Sequence, residues 1–234
     1  MESLKELYRI GYGPSSSHTM GPRYASERFL LEHPEVTKVR AELYGSLAAT
    51  GKGHLTDRAI REVFSKNKKD IEILWFPDQV KPFHPNAVTF VSLEPDQFSD
   101  TYYSVGGGKI IKEGEASSLD DNVYPNQEVG TMKKLLEYAD SNGYQIWEIA
   151  IEKEGPSILD FASEVWDVMK ASISRGLQSE GVLPGGLKLQ RKACQCYAKA
   201  VDFAGPLGNT ASALSYALAV SEENASGGQI VTAP

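Results

Sequence analysis

Two loops carry the side chains best suited to hold a small acid and move its protons. The first, Gly13-Pro14-Ser15-Ser16-Ser17-His18-Thr19-Met20-Gly21-Pro22, leads straight into a helical pattern at Pro22–Leu31. Hydroxyls and free backbone N–H groups at a helix start cradle a carboxylate or phosphate, and His18 adds a charge that switches near neutral pH. The same run also reads as a plain N-cap and turn, with Pro22 at the first helical position. The second loop runs from Gly45 to Asp57: a strand end, the glycine-rich Gly51-Lys52-Gly53-His54, and a helix capped by Thr56. It is not a nucleotide P-loop. That motif places four residues between its first Gly and Gly-Lys, then Ser or Thr, whereas five follow Gly45 and Gly53 follows Lys52. His54 stands where an imidazole meets a ligand, or where a surface loop histidine stands; a second histidine in a like position weighs toward a site.

Other reactive residues point to structure. Cys194 and Cys196 are the two cysteines, which excludes a disulfide-stapled fold and any metal site built from this chain's thiols alone. In a helix over Leu187–Ala204 they diverge by about 200° and cannot clasp one metal. No metal ligand set is expected on the chain. Gly106-Gly107-Gly108 suits a tight hairpin or bulge. His33 before Pro34 ends a helix, and His84 before Pro85 lies in a proline-rich turn.

Positioning these loops takes an α+β framework. Alternation predicts strands at Val36–Leu47 and Asp70–Phe76, with further strands at Asn86–Leu93, Thr101–Val105 and Lys109–Lys112. Helices fit Pro22–Leu31, Thr56–Phe64 and Gln127–Ser141, the last stopping at Asn142-Gly143. Gln145–Glu154 fits strand or helix. After Gly155 the strands give way to helical spacing at Ser157–Leu177, Leu187–Ala204 and Thr210–Ser221. The expected units are residues 1–154, a mixed strand and helix domain, and residues 155–234, an incomplete all-helical segment. Its closing apolar run, Gly227 to Pro234, has no expected packing partner. The chain has 234 residues, 24 Lys plus Arg against 31 Asp plus Glu, and a formal charge of −7. That balance argues against nucleic acid and anionic membrane surfaces as partners. A charged N-terminus without an apolar core predicts a cytoplasmic protein, and no stretch is long and apolar enough for a membrane helix.

Ser15-Ser16-Ser17-His18-Thr19-Met20-Gly21-Pro22, Gly51-Lys52-Gly53-His54 and Tyr103-Ser104-Val105-Gly106-Gly107-Gly108 together resemble the β domain of iron–sulfur L-serine dehydratases. Leu183-Pro184-Gly185-Gly186-Leu187-Lys188, Asn209 to Leu214, and Ser221 to Gly228 resemble the opening of that family's catalytic α domain. The N-terminal part also resembles the allosteric substrate-binding domains of some phosphoglycerate dehydrogenases. The resemblance implies L-serine ammonia-lyase chemistry, giving pyruvate and ammonia. It implies His54 as α-proton base, and Ser15, Ser16, Ser17, His18 and Thr19, with Lys188 and Asn224, as substrate-binding residues. It also implies a 4Fe-4S cluster in the complete enzyme, with none expected on this chain alone, because the family's Thr-Ala-Pro at Thr232-Ala233-Pro234 typically precedes its first cluster cysteine. The chain is therefore expected to be a truncated frame or fragment, partnered in a homodimer or by the missing α-domain portion. Leu159, Val165, Trp166, Met169, Leu214, Tyr216 and Ile230 are expected to form apolar faces awaiting further helices. The alternative is a non-catalytic domain that binds a small carboxylate or a partner chain.

Overall fold

The computed structural model describes residues 1–115, 122–203 and 205–232. In chain order they form α1 (Leu4–Leu7), β1 (Arg9–Tyr12), a π-helical turn (Ser16–Met20), α2 (Gly21–Glu32), β2 (Lys38–Tyr44), α3 (Gly45–Thr50), α4 (Thr56–Lys66), β3 (Asp70–Phe76), β4 (Ala87–Glu94), β5 (Phe98–Gly106) and β6 (Lys109–Lys112). Then follow α5 (Asn126–Val129), α6 (Met132–Asn142), α7 (Ile146–Glu154), α8 (Ser157–Gln178), α9 (Ala193–Ala200), α10 (Gly205–Ala225) and β7 (Gln229–Thr232). The α+β class is as expected, with a mixed sheet in the N-terminal part and mainly helices after it.

The main sheet has the order β3-β2-β4-β5-β6. β2 and β3 are parallel, and the other neighbours are antiparallel. A parallel pair needs a crossover, which α3 and α4 supply. Alternation along the strands turns Val39, Ala41 and Leu43 of β2 and Val88 and Phe90 of β4 toward α2 and α4, where they meet Phe29, Ile60 and Phe64 in one core. Phe29 stacks on Phe90 at 5.0 Å between ring centroids. Burying each such side chain stabilises the fold by roughly 1.5–3 kcal/mol. The Gly106–Gly108 stretch turns the β5–β6 hairpin with positive φ at all three residues, as expected.

Several boundaries differ from the sequence reading, each for a local reason. The strand predicted to Leu47 ends at Tyr44, and α3 begins at Gly45. The helix predicted over Gln127–Ser141 breaks at Gly130, and Thr131 caps α6 by accepting from the Lys134 amide. Gln145–Glu154 resolves as helix, opened by a capping box in which Glu148 returns to the Gln145 amide at 2.7 Å. The helix predicted over Leu187–Ala204 forms only at Ala193–Ala200, because Val182 and Gln190 pair as an isolated bridge upstream; Ala204 lies outside the described residues. The expectation that strands end at Gly155 and that the final apolar run packs on nothing is corrected. β7 pairs antiparallel with β1, Arg9 opposite Thr232 and Tyr12 opposite Gln229. Ala233 and Pro234 are outside the described residues.

In the helical part α8 and α10 pack closely where Gly176 meets buried Ala219; a Cβ on Gly176 would lie 2.3 Å from the Ala219 carbonyl oxygen. Val165 and Ile230, expected on open apolar faces, are instead buried, whereas Leu159, Trp166 and Leu214 are more than half exposed. α9 takes its N-terminal cap from across the interface, where Glu222 accepts from the Lys192 and Ala193 amides at 2.6 and 3.2 Å. Glu223 holds Arg175 at 3.0 Å and Arg191 at 3.4 Å.

Candidate active site

The Ser15–Thr19 segment folds as a π-helical turn running directly into α2. π-Turns inside helices are uncommon and concentrate at functional sites. Ser15 caps it, its hydroxyl accepting from the His18 amide at 3.1 Å. Two glycines let neighbouring chain approach. A Cβ on Gly13 would lie 2.1 Å from the Asn224 carbonyl oxygen, and one on Gly21 would lie 2.2 Å from Ser104 Oγ. Ser104 uses that hydroxyl to donate to the Ser17 carbonyl at 2.8 Å, fixing the turn to β5. From the helical side, Asn224 Nδ2 donates to the Pro14 carbonyl at 3.2 Å, and the Gly13 amide donates to Gly228 at 3.1 Å.

The turn places His18 against His54 with ring centroids 4.8 Å apart and planes tilted by 32°. His18 Nδ1 lies 3.0 Å from Ser17 Oγ, and its Nε2 lies 3.2 Å from Ser46 Oγ. Burial pushes the His18 imidazole below its ordinary value, and a charge on neighbouring His54 pushes it further, so His18 is held toward the neutral form. His54 Nδ1 lies 3.0 Å from the Thr50 carbonyl oxygen. A carbonyl only accepts, so this bond requires the proton on Nδ1 and leaves the Nε2 lone pair free in the neutral ring.

Of the residues singled out in sequence, Ser15, Ser16, Ser17, His18, Thr19 and His54 are brought together. Ser16 borders a cleft of about 560 Å³ against α10, with Ser15, Ser221 and Asn224. Its hydroxyl has no partner among the described residues, which suits it to meet a ligand. Thr19 is buried, and its hydroxyl donates to the His54 carbonyl. Thr56 does not cap α4 as expected; Leu55, with φ 58°, precedes the helix, and the Thr56 hydroxyl donates to the His18 carbonyl. Lys188 is exposed on the loop before α9, with φ 48°, and makes no described contact with the serine turn. Ser46, Thr50 and Ser104 support the site; the sequence assigned none of them a site role, although Ser104 lies in a run that carries the resemblance. The signal for Ser46 was its place directly after Gly45, where the strand ends.

The thiols do not fit a four-iron cluster. Cys194 and Cys196 are two positions apart on α9, Cys194 Sγ faces Glu180 at 3.7 Å, and such clusters take a set of converging thiolates. Glu32, His33 and Asp100 form a tight group, but Lys112 Nζ already bridges Glu32 at 2.7 Å and Asp100 at 2.6 Å, where a cation would sit. Burial opposes the charge on Glu32, yet hydrogen bonds from Lys112, Arg28 and Tyr102 outweigh it and bring the carboxyl down to about 2.

Residues 3–68 and 61–115 match the family model of the serine dehydratase beta chain, and residues 116–234 match that of the serine dehydratase alpha chain. The L-serine dehydratase of Streptomyces coelicolor is 35% identical over 286 aligned positions, covering 99% of this chain and 62% of the relative. L-serine dehydratase 1 of Escherichia coli is 32% identical, covering 100% of this chain and 63% of its own length. The L-serine dehydratase of Helicobacter pylori is 33% identical, with 99% and 62% covered. The chain thus spans 62–63% of the length of these curated relatives. With its first half matched to the beta chain and its second to the alpha chain, the chain belongs to the serine dehydratase family.

Proposed function

We propose that this chain supplies the carboxylate-orienting and proton-removing part of an L-serine dehydratase, which converts L-serine to pyruvate and ammonia. The observation that carries the reading is the His18–His54 pair beside the serine turn, with the His54 Nε2 lone pair left free by the Thr50 carbonyl. In this reading the Ser16 hydroxyl and the amides opening the turn take the substrate carboxylate, with Ser15 and Ser17 holding the turn's shape. His18, held toward neutrality, orients the substrate without repelling a protonated base. His54 Nε2 removes the α-proton, a contribution of about 10²–10⁴ in rate for a well-placed general base. Asn224 anchors the turn from α10. Lys188 completes the proposed set with an exposed ammonium.

The resemblance implies a 4Fe-4S cluster as the group that helps the β-hydroxyl leave. The donor set of Cys194 and Cys196 does not fit it. The exposed Leu159, Trp166 and Leu214 support a covering partner, either a second copy or the remaining α-chain length found in the relatives. Functional units at 1–154 and 155–234 belong to the same proposal, with Gly155, φ 79°, turning the chain between α7 and α8; the two family models meet upstream, at residue 115. A cytoplasmic setting is supported by the two free thiols. No described helix is long and apolar enough to cross a membrane.

L-serine titrated into the isotope-labelled chain tests this reading. Signals of Ser16, Ser17, His18 and His54 should move together, and D-serine should move them less. No movement at any of these residues with millimolar L-serine removes the substrate assignment.

A further inference from the structure

The two histidine segments are joined by a crossed pair of hydrogen bonds. Thr19 Oγ1, one residue past His18, donates to the His54 carbonyl at 2.6 Å; Thr56 Oγ1, two residues past His54, donates to the His18 carbonyl at 2.5 Å. Thr19 Oγ1 also accepts from the Ser15 amide at 3.2 Å, so its bonding capacity is turned inward. Both threonines are buried, at 3% and 0% exposure. Among the described residues these are the only two hydrogen bonds that join residues 15–20 to residues 51–57. Each hydroxyl therefore grips the main chain of the histidine on the opposite segment, away from competing water.

We infer that Thr19 and Thr56 are positioning residues that clamp the π-helical turn to the loop before α4 and thereby set the spacing, and the electrostatic coupling, of the His18 and His54 rings. With the rings 4.8 Å apart, a proton on His54 disfavours a proton on His18. The clamp holds that distance through backbone carbonyls, which leaves the His18 nitrogens to the Ser17 and Ser46 hydroxyls and His54 Nε2 to substrate. Its meaning for catalysis rests on the proposed dehydratase reading, but the clamp itself is tested without turnover.

The experiment follows the histidine ring signals of the 234-residue chain by NMR as pH is varied. His54→Gln removes a like charge and should raise the His18 midpoint. In a Thr19→Val or Thr56→Val background that rise should shrink by at least about half, while Thr19→Ser and Thr56→Ser, which keep the hydroxyl, should preserve it. A rise of undiminished size in both valine backgrounds overturns the inference. Should the valine variants not fold, the unmodified chain decides: the Thr19 and Thr56 hydroxyl protons should exchange slowly enough with solvent to be observed, and fast exchange of both overturns it. A chain that shows the clamp yet ignores L-serine keeps this inference and loses the proposed reaction.

Discussion

Gly21→Ala links the stability of the fold to the shape of the site. Gly21 has ordinary helical geometry, φ −54° and ψ −56°, so alanine would favour the helix by about 1 kcal/mol if there were room. There is none: the added Cβ would sit 2.2 Å from Ser104 Oγ and 2.8 Å from Ser104 Cβ. Relieving that overlap in a packed environment costs roughly 1–3 kcal/mol. Turning the hydroxyl away also breaks its bond to the half-buried Ser17 carbonyl, for about 1 kcal/mol more. The net loss should be about 1–3 kcal/mol, read as a lower urea midpoint and a lower Tm, with the His18 ring signal displaced because Ser17 is its neighbour. In a Ser104→Gly background the obstruction is gone, and the same Gly21→Ala change should become stabilising by up to about 1 kcal/mol. A cost that persists unchanged in the Ser104→Gly background would refute the steric argument.

Three further outcomes follow from the same contacts. Because burial and His54 lower the His18 value, the unfolded chain binds that proton more readily; stability should therefore fall as pH drops from about 8 through the ordinary imidazole range, and His18→Gln should flatten the dependence in urea titrations. Phe90→Ala, at 0% exposure between Phe29, Phe64 and Tyr102, should cost about 3–5 kcal/mol by chemical denaturation. Anaerobic incubation with iron and sulfide should give the same spectrum for the unmodified chain and for Cys194→Ser/Cys196→Ser; a chromophore lost with those two thiols would show that they bind a cluster after all.

Where neighbouring residues carried the information, the sequence was legible. Alternation at Ile71, Ile73 and Trp75 marked β3 to the residue, and Asn142-Gly143 marked the end of α6. Two loop histidines before helix starts pointed to the pair that the fold assembles. What was not legible depended on distant partners. β1 and β7 are four residues each, too short for periodicity, and exist because they pair with one another across the whole chain. The late start of α9 depends on Glu222, thirty positions away from Lys192. Thr56 has the chemistry of a helix cap, and only the approach of the serine turn redirects its hydroxyl to the His18 carbonyl. The break at Gly130-Thr131 was the exception: threonine after glycine is a local cap signal that the longer apolar stripe of α6 overrode.

The role proposed for His54 is removal of the α-proton of L-serine held at the serine turn. Its direct test is the chain combined anaerobically with the remaining α-chain length of a relative, given α-deuterated L-serine, with pyruvate formation and loss of the α-deuteron followed together. His54→Gln should lower kcat about 10²–10⁴-fold and slow deuteron loss in parallel, with KM little changed. Turnover and deuteron loss that match the unmodified chain would contradict the assignment.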